Sequence, residues 1–117
     1  MKSVAQRLML ASAGIALCSI VIAADLSTLV LESKIALGNV SGRIDHLAID
    51  SARNRLFVAE LGNDSVGVVD LKERKLLRRI TGLKEPQGVG YVASTDTLYV
   101  SNAGDGSVRC SKDVPDE

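Results

Sequence analysis

The phrase NRLFVAELGNDSV, Asn54 to Val66, returns as DTLYVSNAGDGSV, Asp96 to Val108, at an offset of 42 residues. Leu56, Val58, Gly62, Ser65 and Val66 recur unchanged as Leu98, Val100, Gly104, Ser107 and Val108, and Phe57 recurs as the aromatic Tyr99. The same offset carries His46-Leu47 onto Gly88-Val89. A fixed period of about 40–50 residues restricts a chain to propeller blades or arrays of helix pairs.

The local pattern decides between the two. Arg55 to Leu61 is a short run with β-branched and aromatic residues, bounded by Asn54 and by Gly62-Asn63-Asp64, and Val66 to Leu71 is a second short apolar run. Neither has the length of a typical helix, and turn residues frame both. The first repeat reads as four strands, near His46–Asp50, Arg55–Leu61, Ser65–Leu71 and Leu76–Thr81. The second restarts near Gly88–Val92, Thr97–Asn102 and Ser107–Cys110. Gly62-Asn63-Asp64 and Gly104-Asp105-Gly106 supply residues that tolerate positive φ in hairpin turns. Pro86 stands ahead of the second repeat, where it removes no ladder donor.

The strands do not alternate apolar with polar. Leu56 and Val58 lie on one face of their strand, and Phe57, Ala59 and Leu61 on the other are apolar too. A sheet with one wet face shows alternation; here both faces call for burial. A propeller blade, packed between two neighbouring blades, meets that demand. LLRRIT, Leu76 to Thr81, is more polar, as the outer rim of a blade should be. TLVLESKIAL, Thr28 to Leu37, reads as a further outer strand ahead of the first repeat.

The N-terminus has a separate grammar. Lys2 and Arg7 form a basic region, Leu8 to Ala23 is an uncharged apolar run, and Ala23 and Ala24 offer small residues before Asp25. This is the pattern of a secretory signal cleaved after Ala23 or Ala24. The run is shorter than the roughly 20 residues of a spanning helix, and Leu17 ahead of Cys18 does not fit a lipoprotein signal. The 14 basic and 14 acidic side chains balance, so nothing in the net charge draws the chain toward nucleic acid or anionic lipid. Cleavage removes Lys2 and Arg7 and leaves a mildly acidic mature chain, with Cys110 as its lone thiol and no intrachain disulfide.

Tyr99-Val100-Ser101-Asn102 is one conservative step from Tyr-Val-Thr-Asn, and the surrounding LYVSNAGDGSV keeps the strand–turn–strand shape in which that tetrad sits. In these residues the chain resembles the YVTN-type β-propeller repeat family. Phe57-Val58-Ala59-Glu60 is a more degenerate copy, and GRIDHLAID, Gly42 to Asp50, resembles the opening blade of exported bacterial members. The resemblance spans roughly Leu29 to Arg109. It implies a ring of several blades, typically seven, in members of the family. It implies a role in binding or scaffolding on the blade-top loops, or catalysis in the central channel. Fold alone does not choose between these.

The second repeat departs from the first after Val108. Val66-Gly67-Val68-Val69-Asp70 would recur there, but the chain reads Arg109-Cys110-Ser111-Lys112-Asp113. The expectation is therefore an all-β partial β-propeller after an N-terminal signal helix, with about two four-stranded blades, the second incomplete. The domains are a signal peptide over 1–24, propeller repeats over 25–110 and an unstructured tail over 111–117. Such a chain reads as a truncated or frameshifted product of a longer propeller gene; the alternative is a short natural protein that completes its ring by oligomerising. One flat blade face and a sheet edge would stay open, giving marginal stability and self-association through that face.

Candidate sites are few. Asp45 and His46 stand at the start of the first strand of a blade, which lines the channel, so they should sit near its mouth, and a carboxylate beside a histidine can bind metal or move a proton. With one His in the chain and no second ligand at metal-like spacing, the plainer reading is that Asp45 caps a turn and His46 fills a channel position. Gly88-Val89-Gly90-Tyr91-Val92-Ala93 fits a dinucleotide pattern, but that motif must open a helix, and here it begins a strand. Asn63-Asp64 and Asp105 lack the alternating oxygen ligands of a calcium loop. Lys72, Arg74, Lys75, Arg78 and Arg79 form a basic run without interleaved aromatics, which reads as a solvated rim and not as a nucleic-acid surface. The reading is an exported, periplasmic or secreted, non-catalytic binding or scaffolding module. It has no catalytic, cofactor or metal residues and no cofactor. Its partner is a protein or small molecule, not nucleic acid, and nothing holds it to the membrane after cleavage. The alternative is the remnant of a propeller lyase, lactonase or quinoprotein-like oxidoreductase with a central-channel site.

Overall fold

The computed structural model describes residues 29–112 and Val114. Seven strands follow one another: β1 (Ile44–Asp50), β2 (Arg55–Glu60), β3 (Ser65–Asp70), β4 (Lys75–Ile80), β5 (Pro86–Val92), β6 (Thr97–Asn102) and β7 (Val108–Lys112). They form two antiparallel meanders, a four-stranded sheet β1-β2-β3-β4 and a three-stranded sheet β5-β6-β7. The all-β expectation holds, as do all seven strands placed from the repeat. The signal helix expected over 1–24 lies outside the described residues.

The repeat is kept residue for residue in the ladders. Leu47 faces Val58 as Val89 faces Val100, and Asp50 faces Arg55 as Val92 faces Thr97. Arg55 faces Asp70 as Thr97 faces Lys112. Even the irregularity recurs, with a bulge between Ile44 and Leu47 and another between Pro86 and Gly88. Left-handed residues close equivalent turns. Asn54 and Asp96 take φ of 53° and 44°, and Asp64 and Gly106 take 50° and 67°. Asp and Asn tolerate this region because their short polar side chains bond locally. Asp50 Oδ1 accepts from the Ala52 and Arg53 N–H groups at 3.2 and 3.3 Å. Asp70 Oδ1 does the same for Lys72 and Glu73, both at 2.8 Å.

The two sheets stack face to face, with β5 lying against β1 and β2. Phe57, Val66 and Val68 of the first sheet pack with Leu98 and Val100 of the second and with Leu83 and Val114, while Ala48, Val89 and Tyr91 border the cluster. The Phe57 and Tyr91 rings meet at 5.3 Å between centroids. Both faces of β2 are covered, since Phe57 and Ala59 are fully buried on one and Val58 is nearly so on the other. The missing alternation in the sequence had that cause.

Two stretches differ from expectation. The described part of the outer strand expected over Thr28–Leu37 is not a strand. A strand needs a backbone neighbour, and here the Leu37 carbonyl is taken by the Arg79 guanidinium. At the other end β7 continues through Ser111 and Lys112, two residues past the boundary at Cys110, because β6 offers Leu98 and Thr97 as ladder partners. Val114 beyond it is buried, and its carbonyl accepts from Arg55. Backbone pairing tolerates the exchange of Val68-Val69 for Cys110-Ser111.

Candidate functional site

Asp45 and His46 sit at the bulge of β1, where the extra residue breaks strict pairing with β2. The Asp45 carboxylate is gripped from both sides, with Oδ2 3.2 Å from Arg43 and Oδ1 3.0 Å from His46 Nδ1. His46 Nδ1 also lies 3.1 Å from the Gln87 carbonyl oxygen. Both neighbours accept, so Nδ1 carries a hydrogen and Nε2 is the ring nitrogen left for another partner. The imidazole is 69% exposed. This arrangement holds a ring in one tautomer and ties β1 to the start of β5. Among the described residues, no group of three His, Cys, Asp or Glu side chains converges to hold a metal ion.

A second cluster was not anticipated. Arg55, at the start of β2, is 1% exposed, and Asp50, its ladder partner, is 2% exposed. Arg55 Nη2 and Nε lie 2.8 and 3.1 Å from Asp50 Oδ2. The guanidinium stands over the rings of Phe57 and Tyr91, at 5.4 and 5.9 Å from their centroids. From the second sheet Asp96 brings Oδ1 to 3.4 Å from Arg55 and accepts the Tyr91 hydroxyl at 2.7 Å. Its Oδ2 lies 2.8 Å from Arg53. Burial alone would raise the Asp50 carboxyl, but the Arg55 guanidinium and the Arg53 N–H hold it below the ordinary value. Hydrogen bonds from Arg53 and then Tyr91 depress Asp96, and that same carboxylate raises the Tyr91 hydroxyl. A network of this kind, buried at Asp50 and Arg55 and reaching solvent at Asp96 and Arg53, fastens two sheets together and fixes their register. Its sequence signal was a charged pair, Asp50 and Arg55, standing where the other repeat has Val92 and Thr97.

A third cluster lies at the far end of β2. Glu60 is fully buried. Its Oε2 accepts from Ser65 at 2.6 Å and from Arg79 at 2.8 Å, while Oε1 has no hydrogen-bond partner among the described residues. In the second sheet the equivalent Asn102 donates to Ser107 at 3.1 Å. The basic run is therefore not solvated along its whole length, since Arg79 turns inward to neutralise Glu60. The remaining sequence motifs are structural. Gly88 to Val92 lies within β5 and is followed by a single 3-10 turn, Ala93–Thr95, in place of the α-helix that motif must open. Asp64 Oδ1 accepts the Glu85 N–H at 2.8 Å, and Asp105 Oδ1 accepts from Ser107 Oγ and N at 2.6 and 3.0 Å. These turn contacts depress the Asp105 carboxyl.

Between β4 and the second sheet is a cavity of about 150 Å³, floored by Leu83, Leu98 and Val100 and rimmed by Thr81, Arg109 and Ser111. Small-molecule sites usually hold roughly 300–1,000 Å³, so this space takes a fragment at most. Cys110 is exposed beside it. No helix among the described residues is long and apolar enough to cross a membrane. No protein-family model matches the chain, and no curated protein matches it either.

Proposed function

We propose that this chain is a repeat module of the β-propeller type, similar to the YVTN-type family, and that it is exported to serve as a non-catalytic binding or scaffolding surface. The observation that supports the reading is the way the two sheets stack. The ladders of the two sheets match pair for pair, so equivalent residues share a face. Phe57, Val66 and Val68 line one face of the first sheet. The residues that pack onto them, Val89, Tyr91, Leu98 and Val100, are equivalent to Leu47, Ile49, Leu56 and Val58 on the opposite face of the first sheet. In this one contact the first sheet uses one face and the second uses the equivalent of the first sheet's other face, which is consistent with the packing of blades around an axis. The polar clusters support a non-catalytic role, because Asp50, Arg55, Asp96 and Tyr91 satisfy one another and none is held open toward solvent as a poised acid or base.

Export is tested by expressing the chain with its own N-terminus in a Gram-negative host and measuring the mass of the periplasmic product. A mature mass beginning at Ala24 or Asp25 supports the reading, and an unprocessed cytoplasmic product refutes it. The second reading, a propeller enzyme remnant with a channel site, draws on one feature: the exposed His46 Nε2, with its tautomer set by Asp45. Zinc or copper titration of the purified chain separates the two. Stoichiometric binding that disappears in His46→Ala would favour the enzyme remnant.

A further inference from the structure

The two-sheet packing leaves its own two halves exposed at opposite ends of the chain. On the first sheet, Leu47 and Ile49 of β1 are 56% and 55% exposed. Their equivalents in the second sheet, Val89 and Tyr91, pack against the core. On the second sheet, Val92, Tyr99 and Val108 are 41%, 44% and 68% exposed. Ladder pairing sets Tyr99 beside Gly90 and Cys110 on that face. The equivalents of Tyr99, Val108 and Cys110 are Phe57, Val66 and Val68, which form the face that receives the second sheet. Leu47 and Ile49, the plug, are thus the uncovered equivalents of a seated pair, and Tyr99 and Val108, the socket, the uncovered equivalents of the residues that receive it, although Val58 and Thr97 on the same faces are already covered within the chain.

We infer that the chain associates head to tail with further copies of itself. The Leu47–Ile49 face of one copy seats on the Val92–Tyr99 face of the next, repeating the contact between the two sheets within one chain. The residues at the new junction have changed together. Within the chain, the socket carries Asp50 and Arg55 and the plug carries Tyr91 and Asp96, which form the buried polar network. Between copies the socket carries Val92 and Thr97, and the plug carries Ile49 and Asn54. None of these four residues is charged, so the new junction buries no counterpart of Asp50, Arg55 or Asp96, while Lys112 opposite Thr97 stays at the exposed end of β7. Gly90 replaces Ala48 in the socket, and a Cβ there would meet no atom within 4 Å, which leaves room for the incoming strand.

A separate observation gives the same geometry. Among the described residues the second sheet has three strands, and no strand pairs with the outer edge of β7. In the first sheet that position is filled by β4, Lys75–Ile80. Forty-two residues earlier stands Ser33 to Gly38, which pairs with no strand in the single chain and is largely exposed. Seating one copy on the next by the internal rule sets Ser33–Gly38 of the arriving copy along β7, with Ala36 opposite Cys110. An open edge is a template for such a strand, and the contact is heterologous, closing into a ring or extending as the rotation dictates.

This inference rests on the repeat packing that also supports the proposed function, but its test is independent of export or ligand. The full chain is followed by sedimentation velocity over a concentration series, with hydrogen exchange on the same samples. Mass should rise above the 12.4 kDa monomer, and amides of Ser33–Gly38 and Val108–Lys112 should gain protection together. Ile49→Asp and Tyr99→Asp each place a charge in the junction and should weaken self-association by about tenfold or more. Leu47→Asp serves as a second plug variant, and circular dichroism checks that each variant keeps its sheets. A mixture of Ile49→Asp with Tyr99→Asp retains one intact plug and one intact socket, so it should form a 1:1 dimer and nothing larger. A wild-type chain that stays monomeric with its sheets intact, or a folded Ile49→Asp that still self-associates, would overturn the inference while leaving the binding-module reading in place.

Discussion

Phe57 and Tyr99 hold the same position in successive sheets, yet Phe57 is fully buried and Tyr99 is 44% exposed. The difference comes from neighbours and not from the strands themselves, because the ladders around the two residues match. Phe57→Ala should cost about 3–5 kcal/mol, as for other buried aromatic truncations. Tyr99→Ala in dilute, monomeric protein should cost less than about 1 kcal/mol. Urea unfolding of the two variants measures the contrast directly.

The Arg55 network predicts an unequal pair of effects. Arg55→Thr copies the residue of the second repeat but strands Asp50 in a dry setting, and breaking a buried pair from one side costs about 3–5 kcal/mol. Adding Asp50→Val, again the residue of the second repeat, removes the orphaned charge. The double variant should therefore be more stable than Arg55→Thr alone, and a double-mutant cycle by denaturant titration reads the coupling.

Acid should loosen the junction between the sheets. Asp50 and Asp96 are both depressed below the ordinary value of 3.8. Their contribution to stability is complete above that value and is lost as pH falls through their lower folded values. Melting temperature should drop steeply below about pH 4. Asp96→Asn should make that acid limb shallower, which a pH series of thermal melts would detect.

Arg79 and Glu60 give a second test of buried charge. Arg79→Met leaves the Glu60 carboxylate with Ser65 as its only hydrogen-bond donor, and the loss should reach about 3 kcal/mol. Glu60→Gln in that background neutralises the group and should recover part of the loss. If both variants unfold at the wild-type urea midpoint, the pair contributes nothing to stability.

The strands were legible because the chain states them twice, and a repeated pattern of short runs between Gly, Asn and Asp turns leaves little room for helices. The double-sided burial was legible for the same reason, in the absence of alternation at Leu56 to Leu61. What could not be read was where charges close. Asp50 and Arg55 face each other across a hairpin, but their third partner, Asp96, belongs to the next repeat, and only packing brings it within reach. Arg79 looked like one more rim cation because its partner Glu60 lies 19 residues earlier. Of the candidate pair, the Asp45–His46 contact follows from adjacency, whereas the Gln87 carbonyl that fixes the ring comes from across the sheet junction.

The recurring bulge and the matched ladders imply a rule of chain arithmetic. A segment of 42 residues cut at any phase would splice into this protein without shifting a single backbone pair, because both its ends would meet the positions they left. An odd insertion within a strand would turn the residues behind it in that strand to the other surface. Growth by duplication is thus permitted in whole units, and tinkering is confined to the loops.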